Sequence, residues 1–129
     1  MPGKLILVVE DEAVQLALVA KLLKNAGYEV IEARDGIVAV SVARKENPDL
    51  VLLDLGLPEG DGFAVMERLQ LLPTTAKIPV VVLSSRDAAN TEASAKQAGA
   101  RAYLEKPVDK GKLLKAVSEA LGNSQEVSY

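Results

Sequence analysis

The stretch Val51–Gly62, reading VLLDLGLPEGDG, limits what this chain can become more than any other. It opens on Val51, Leu52 and Leu53, an apolar run without alternation, which is the pattern of a strand covered on both faces. The run ends on a carboxylate, Asp54. Gly56, Pro58, Gly60 and Gly62 follow, breakers spaced too closely for any regular element. A buried strand therefore delivers one acid to its carboxyl end and stops in a loop, which is where ligands sit in open α/β sheets. One such acid is more simply a turn cap, so the other strand ends decide.

Leu5–Val9 (LILVV) is a second continuous apolar run, and it ends in Glu10, Asp11 and Glu12. Val14, Ala17, Leu18 and Leu22 then recur at helical spacing, and Gly27 supplies the stop. Tyr28–Ala33 alternates as a more exposed edge strand does. Asp35 can cap a helix running to Asn47, before Pro48. Val38, Val40 and Val42 share strand parity within it, and only the alternation of elements on either side argues for helix. Asp49–Asp54 is the strand already described. Gly62–Leu72 places Val65, Met66 and Leu69 on one helical face before Pro73, with Asp61 as its cap.

Ile78–Leu83 is another buried run, delivering Ser84 and Ser85. Asp87–Ala98 is a polar, alanine-rich helix with little large apolar surface to anchor it, closed by Gly99. Ala100–Leu104 is a short strand ending in Glu105, Lys106 and Pro107. Leu113, Leu114, Val117 and Leu121 form the stripe of a last helix, stopped by Gly122.

Five strands alternating with five helices through mostly short loops predict parallel βα units with right-handed crossovers. Helices on both faces require the order 2-1-3-4-5, with strands one and three flanking the point where the chain reverses direction. A length of 129 residues suits one domain, residues 1–122, followed by a tail over 123–129. The formal net charge of −3 with no basic stripe argues against nucleic acid. No apolar run reaches membrane-spanning length, and a cytoplasmic location fits. The chain has no Cys and no His, which removes thiol chemistry, Ser-His-Asp triads, imidazole zinc sites and a phosphohistidine of its own.

Parallel strands bring their carboxyl ends to one rim, so Glu10, Asp11, Asp54, Ser84 and Lys106 gather there. Three carboxylates at the switch point would repel one another, and nothing in a stability argument asks for that. A hard cation resolves it: Mg²⁺ takes a few carboxylates and fills its remaining positions with water or phosphate oxygens. Lys106 adds positive charge and Ser84 a hydroxyl, completing a site for a phosphoryl group at Asp54.

The ordered set resembles the response-regulator receiver domain of two-component signalling, over Lys4–Gly122. The motifs are Glu10-Asp11, Asp54 followed by Pro58 and Asp61-Gly62, Ser84 after VVVL, and Lys106-Pro107, with Tyr103 three residues before the lysine. The resemblance implies a flavodoxin-like fold and makes Asp54 the phosphoacceptor. Asp11, Asp54 and the Gly56 carbonyl would ligate Mg²⁺, with Glu10 acting through a metal-bound water. Lys106 would pair with the phosphoryl oxygens, and its bond to Pro107 is often cis in this family. Ser84 would bind the phosphoryl group and draw its loop inward, letting Tyr103 turn into the space vacated and altering the face of helix four, strand five and helix five.

A sensor histidine kinase, a histidine phosphotransfer protein or a small phosphodonor would supply the phosphate, and a downstream protein would read the changed face. Such a chain is a switch that phosphorylates and dephosphorylates itself, not an enzyme with an external substrate. Glu10 departs from the commoner Asp, Gly56 and Ser85 from the usual residues there, and Arg86 is expected to face solvent. Two rivals remain. A Mg²⁺-dependent aspartyl phosphohydrolase would need an acid two residues past the nucleophile, where Gly56 stands. A degenerate receiver acting only as an interaction module would not need the complete acid, hydroxyl and lysine set.

Overall fold

Each of the five expected strands forms, and each is followed by a helix. In this computed structural model residues 3–57, 61–85 and 88–122 are described. In chain order they form β1 (Leu5–Val9), α1 (Ala13–Asn25), β2 (Glu29–Ala33), α2 (Gly36–Glu46), β3 (Leu50–Asp54), α3 (Asp61–Leu71), β4 (Val80–Ser84), α4 (Ala88–Gln97), β5 (Ala102–Glu105) and α5 (Lys110–Ala120). The strands make one sheet in the order β2-β1-β3-β4-β5, every neighbouring pair parallel, as the sequence predicts. Pro58, Gly60, Arg86 and the expected tail over 123–129 lie outside the described residues.

The lack of alternation in the central strands has a direct cause. Ile6, Val8, Leu50, Leu52, Val81 and Leu83 point to one side, where Leu16, Val19 and Leu23 of α1 and Leu113 and Val117 of α5 cover them. Leu7, Val9, Val51, Leu53 and Val82 point to the other, against Ala39 and Ala43 of α2, Val65, Met66 and Leu69 of α3, and Ala95 of α4. Two cores therefore share one sheet, and each fully buried Val or Leu contributes about 1.5–3 kcal/mol of transfer free energy. The edge strands β2 and β5 are only partly covered.

Two sequence expectations need correction. The stripe Val14, Ala17, Leu18 and Leu22 does not form the inner face of α1. Val14 is 74% and Leu18 47% exposed, while Leu16, Val19, Ala20 and Leu23 are buried. The buried set has the complete i, i+3, i+4, i+7 spacing; α1 carries apolar residues on both sides, and periodicity alone does not choose between them. Asp61 was expected as a cap, yet α3 begins at Asp61 itself.

The expected α2 does form, and it buries small residues, Gly36, Ala39 and Ala43, instead of its valines; Val38 is exposed. Asp35 Oδ1 accepts the Val38 N–H at 2.8 Å, and Asn47 ends the helix at φ 48°. No helix among the described residues is long and apolar enough to cross a membrane.

Candidate functional site

Strand register assembles the site. Val9 is the partner of Leu53, Asp54 of Leu83, and Ser84 of Glu105. One residue beyond these pairs, Glu10 comes level with Asp54, and the Lys106 N–H donates to the Ser84 carbonyl at 2.9 Å. The β1–β2 ladder also continues one step, the Glu10 N–H reaching the Ala33 carbonyl at 3.0 Å. Backbone pairing thus carries Glu10, Asp54 and Ser84 to the rim, and all three are buried.

Lys106 Nζ lies 3.0 Å from Glu10 Oε1 and 3.1 Å from Asp54 Oδ1, one ammonium shared by two carboxylates. The Gly56 N–H also donates to Asp54 Oδ1, at 2.8 Å. The Glu12 N–H donates to Glu10 Oε2 at 3.3 Å. Glu12 itself does not join the cluster: its carboxylate caps α1, accepting the Gln15 N–H at 2.7 Å. Asp11 does join. Carboxylate oxygens of Glu10, Asp11 and Asp54 all lie within 4.8 Å of one another.

One ammonium does not balance this charge. Burial, and next its hydrogen bond to Asp54, push the Glu10 carboxyl up to about 7, with Lys106 pulling the other way. Burial acts to lower the Lys106 ammonium, but its hydrogen bonds to Glu10 and Asp54 outweigh that and raise it, so it stays charged. Loss of solvent outranks the neighbouring Asp54 carboxylate as the cause of the rise at Glu10. Three carboxylate oxygens at this separation, with charge left over, fit a hard, oxygen-seeking cation.

Residues 6–118 match the response regulator receiver domain family. This chain belongs to that family. Among its relatives, Protein PilH of Pseudomonas aeruginosa is 35% identical over 116 residues, covering 90% of this chain and 96% of that protein. The polar-differentiation response regulator DivK of Brucella ovis is 31% identical over 121 residues, covering 94% and 98%. A response regulator structure from Chloroflexus aurantiacus superposes with a TM-score of 0.88 at 29% identity, covering 93% and 98%. The receiver domain of the sensor histidine kinase PA1611 from Pseudomonas aeruginosa superposes with a TM-score of 0.85 at 30% identity, covering 93% and 98%; that structure has a magnesium ion coordinated in its active site cleft.

The remaining receiver positions are placed as follows. Ser84 is the last residue of β4 and wholly buried, and Ser85 is exposed. The Lys106-Pro107 peptide is cis. Gly56 is exposed, and a Cβ there would come within 3.2 Å of Asp54 Oδ1. A Cβ on Gly62 would stand 2.7 Å from the Leu55 Cα, so glycine lets the first turn of α3 close on the loop that carries Asp54.

Tyr103 is half-buried against the α2–α4 core, and its hydroxyl is buried without a hydrogen-bond partner among the described residues. The hydroxyl is thus already out of solvent, and the inward turn expected of Tyr103 would begin from an inner position.

Sequence reasoning missed the Gly56 N–H, the capping role of Glu12, and Arg34, whose Nη2 donates to the Asp11 carbonyl at 2.9 Å. Glu12 was within reach, being the last acid before a helical stripe. Nothing in the sequence marks the other two.

Proposed function

We propose that this receiver domain is a phosphorylation-driven switch that accepts a phosphoryl group on Asp54. The observation that carries the reading is one ammonium, Lys106, bridging Glu10 and Asp54 while Asp11 closes the same cluster. Asp54 is the nucleophile: a carboxylate oxygen attacks phosphorus, the bond to the donor breaks, and an acyl phosphate results. Lys106 then faces new phosphoryl oxygens as well as Glu10, and Ser84 offers them a hydroxyl. Glu10, Asp11, Asp54 and the Gly56 carbonyl are the groups to hold Mg²⁺, which would neutralise charge on the transferring group.

The donor is a phosphohistidine on a sensor kinase or phosphotransfer protein, or a small acyl phosphate. The chain turns over no external substrate, and the exchange takes place in the cytoplasm. The output face is α4, β5 and α5. A cleft of about 360 Å³ opens there, lined in part by Glu92, Tyr103, Val108 and Lys112, and it touches Lys106 itself. Among the described residues the buried Tyr103 hydroxyl has no partner, which makes the present packing of that face cheap to exchange, because an unmet buried hydroxyl costs about 1–3 kcal/mol.

Intact-mass spectrometry with Mg²⁺ and acetyl phosphate tests the reading. One phosphate-mass adduct is expected, labile in base and absent in Asp54→Asn. Adduct formation at the parent rate in that variant overturns the assignment of Asp54. Steady consumption of donor with no adduct would favour the phosphohydrolase, and neither adduct nor consumption the interaction module.

A further inference from the structure

Of the three acids in the cluster, Asp11 is the least secured. Glu10 and Asp54 are gripped by Lys106, and each also accepts a backbone N–H. Asp11 stands in the loop between β1 and α1, half-buried, and no donor reaches its carboxylate among the described residues. What holds this loop position is its main chain. Arg34 Nη2 donates to the Asp11 carbonyl oxygen at 2.9 Å.

Arg34 is well placed for that task. Ala33 closes β2 as the partner of Val9, and its carbonyl takes the Glu10 N–H. Arg34 is the first residue past the ladder, and Asp35 after it is tied down as the cap of α2. Its backbone is therefore fixed on both sides, while its side chain, itself exposed, crosses to the neighbouring loop. A solvent-facing arginine brushing a carbonyl is the plainer account. Against it, among the described residues this is the bond that a side chain from outside the loop makes to Asp11, in a loop that must turn a carboxylate from the strand toward Asp54 between the Glu10 N–H and the Glu12 cap.

We propose that Arg34 is a positioning residue for the cation site, holding the Asp11 main chain so that its carboxylate faces Asp54. This deepens the proposed function and rests on it. Arg34 also brings a like charge near the cation, which acts with the opposite sign on affinity. The guanidinium is exposed, so that repulsion is screened within about 8 Å at physiological salt, whereas a fixed loop geometry is not screened.

The test compares the parent, Arg34→Met and Arg34→Lys by Mg²⁺ titration without any phosphodonor, read by calorimetry and by the amide resonances of Asp11 and Asp54, at two salt concentrations. Arg34→Met should weaken Mg²⁺ binding roughly tenfold, the lower end for groups that orient metal ligands, and high salt should not abolish the loss. Arg34→Lys keeps a donor and should recover most of it. Melting curves in EDTA should coincide for the three proteins. Equal or tighter Mg²⁺ binding in Arg34→Met overturns the proposal, as does a loss matched by lower melting in EDTA and not rescued by lysine. A parent that binds no Mg²⁺ would sink the reading of the site itself; a parent that binds while Arg34→Met matches it sinks this inference alone.

Discussion

At the amino ends of the strands the chain satisfies its polar groups locally and leaves its charges outside. Asp49 Oδ2 accepts the Leu5 N–H at 2.8 Å while the Asp49 N–H returns to the Leu5 carbonyl, and Thr75, itself buried, donates its hydroxyl to the Leu69 carbonyl at 2.7 Å. Lys24, Arg44, Lys45, Arg68 and Lys96 occupy the last turns of their helices, where positive charge suits the dipole. At the carboxyl ends the arrangement is reversed. Glu10 and Asp54 are buried and share one lysine. The same sheet thus has an end organised for stability and an end that holds unbalanced charge for chemistry. The difference teaches that the site is supported by the fold and contributes little to it.

The largest effect expected from this contrast comes from β3 alone, which contains both kinds of residue. Leu50→Ala, at its fully buried start, should cost about 2–5 kcal/mol, a transfer loss plus a cavity. Asp54→Asn, at its equally buried end, should stay within about 1 kcal/mol of the parent in urea unfolding with EDTA present. Comparable losses in the two variants would break the contrast, because Asp54 would then be structural.

A smaller effect belongs to Glu10. Its folded pKa is about 7 against an ordinary 4.5, so between those values the folded chain keeps a proton that the unfolded chain has released. Its contribution to stability therefore falls as pH rises from about 4.5 to about 7 and is level above. Glu10→Gln removes that slope. The stability of the variant relative to the parent should climb across this window by something on the order of 3 kcal/mol, the attraction of Lys106 being already contained in that rise. A difference that stays flat from pH 4 to 8 would show that Glu10 is not strained by its burial.

The smallest expected effect lies at the amino end. Asp49→Ala removes the bond to the Leu5 N–H, which is exposed enough for water to replace the acceptor, and should cost about 1 kcal/mol with no change in phosphorylation. A changed phosphorylation rate in this variant would mean that the two ends are coupled through β1 and β3, and the comparison would need redrawing.

Much of this was legible in the chain. Unalternating runs such as Leu50–Leu53 announce strands covered on both faces, and each such run ends in the residue that reaches the rim, so the alternation of elements and the candidates Glu10, Asp11, Asp54, Ser84 and Lys106 follow from order alone. Helix faces were less legible. In α1 two apolar stripes compete, and in α2 the buried residues are a glycine and two alanines, whose small size leaves a weaker periodic signal than the exposed Val38 beside them.

What the sequence determined by itself is which groups arrive at the rim, because a parallel strand carries its last residue to a known end of the sheet. Only the tertiary structure decided how those groups face one another. That Lys106 spans Glu10 and Asp54, that burial and not repulsion leads in raising Glu10, and that Arg34 reaches across to Asp11 are all contacts between segments far apart in the chain. Distances of a few ångströms between such segments are set by the register and packing of the whole sheet, and no local pattern of residues encodes them.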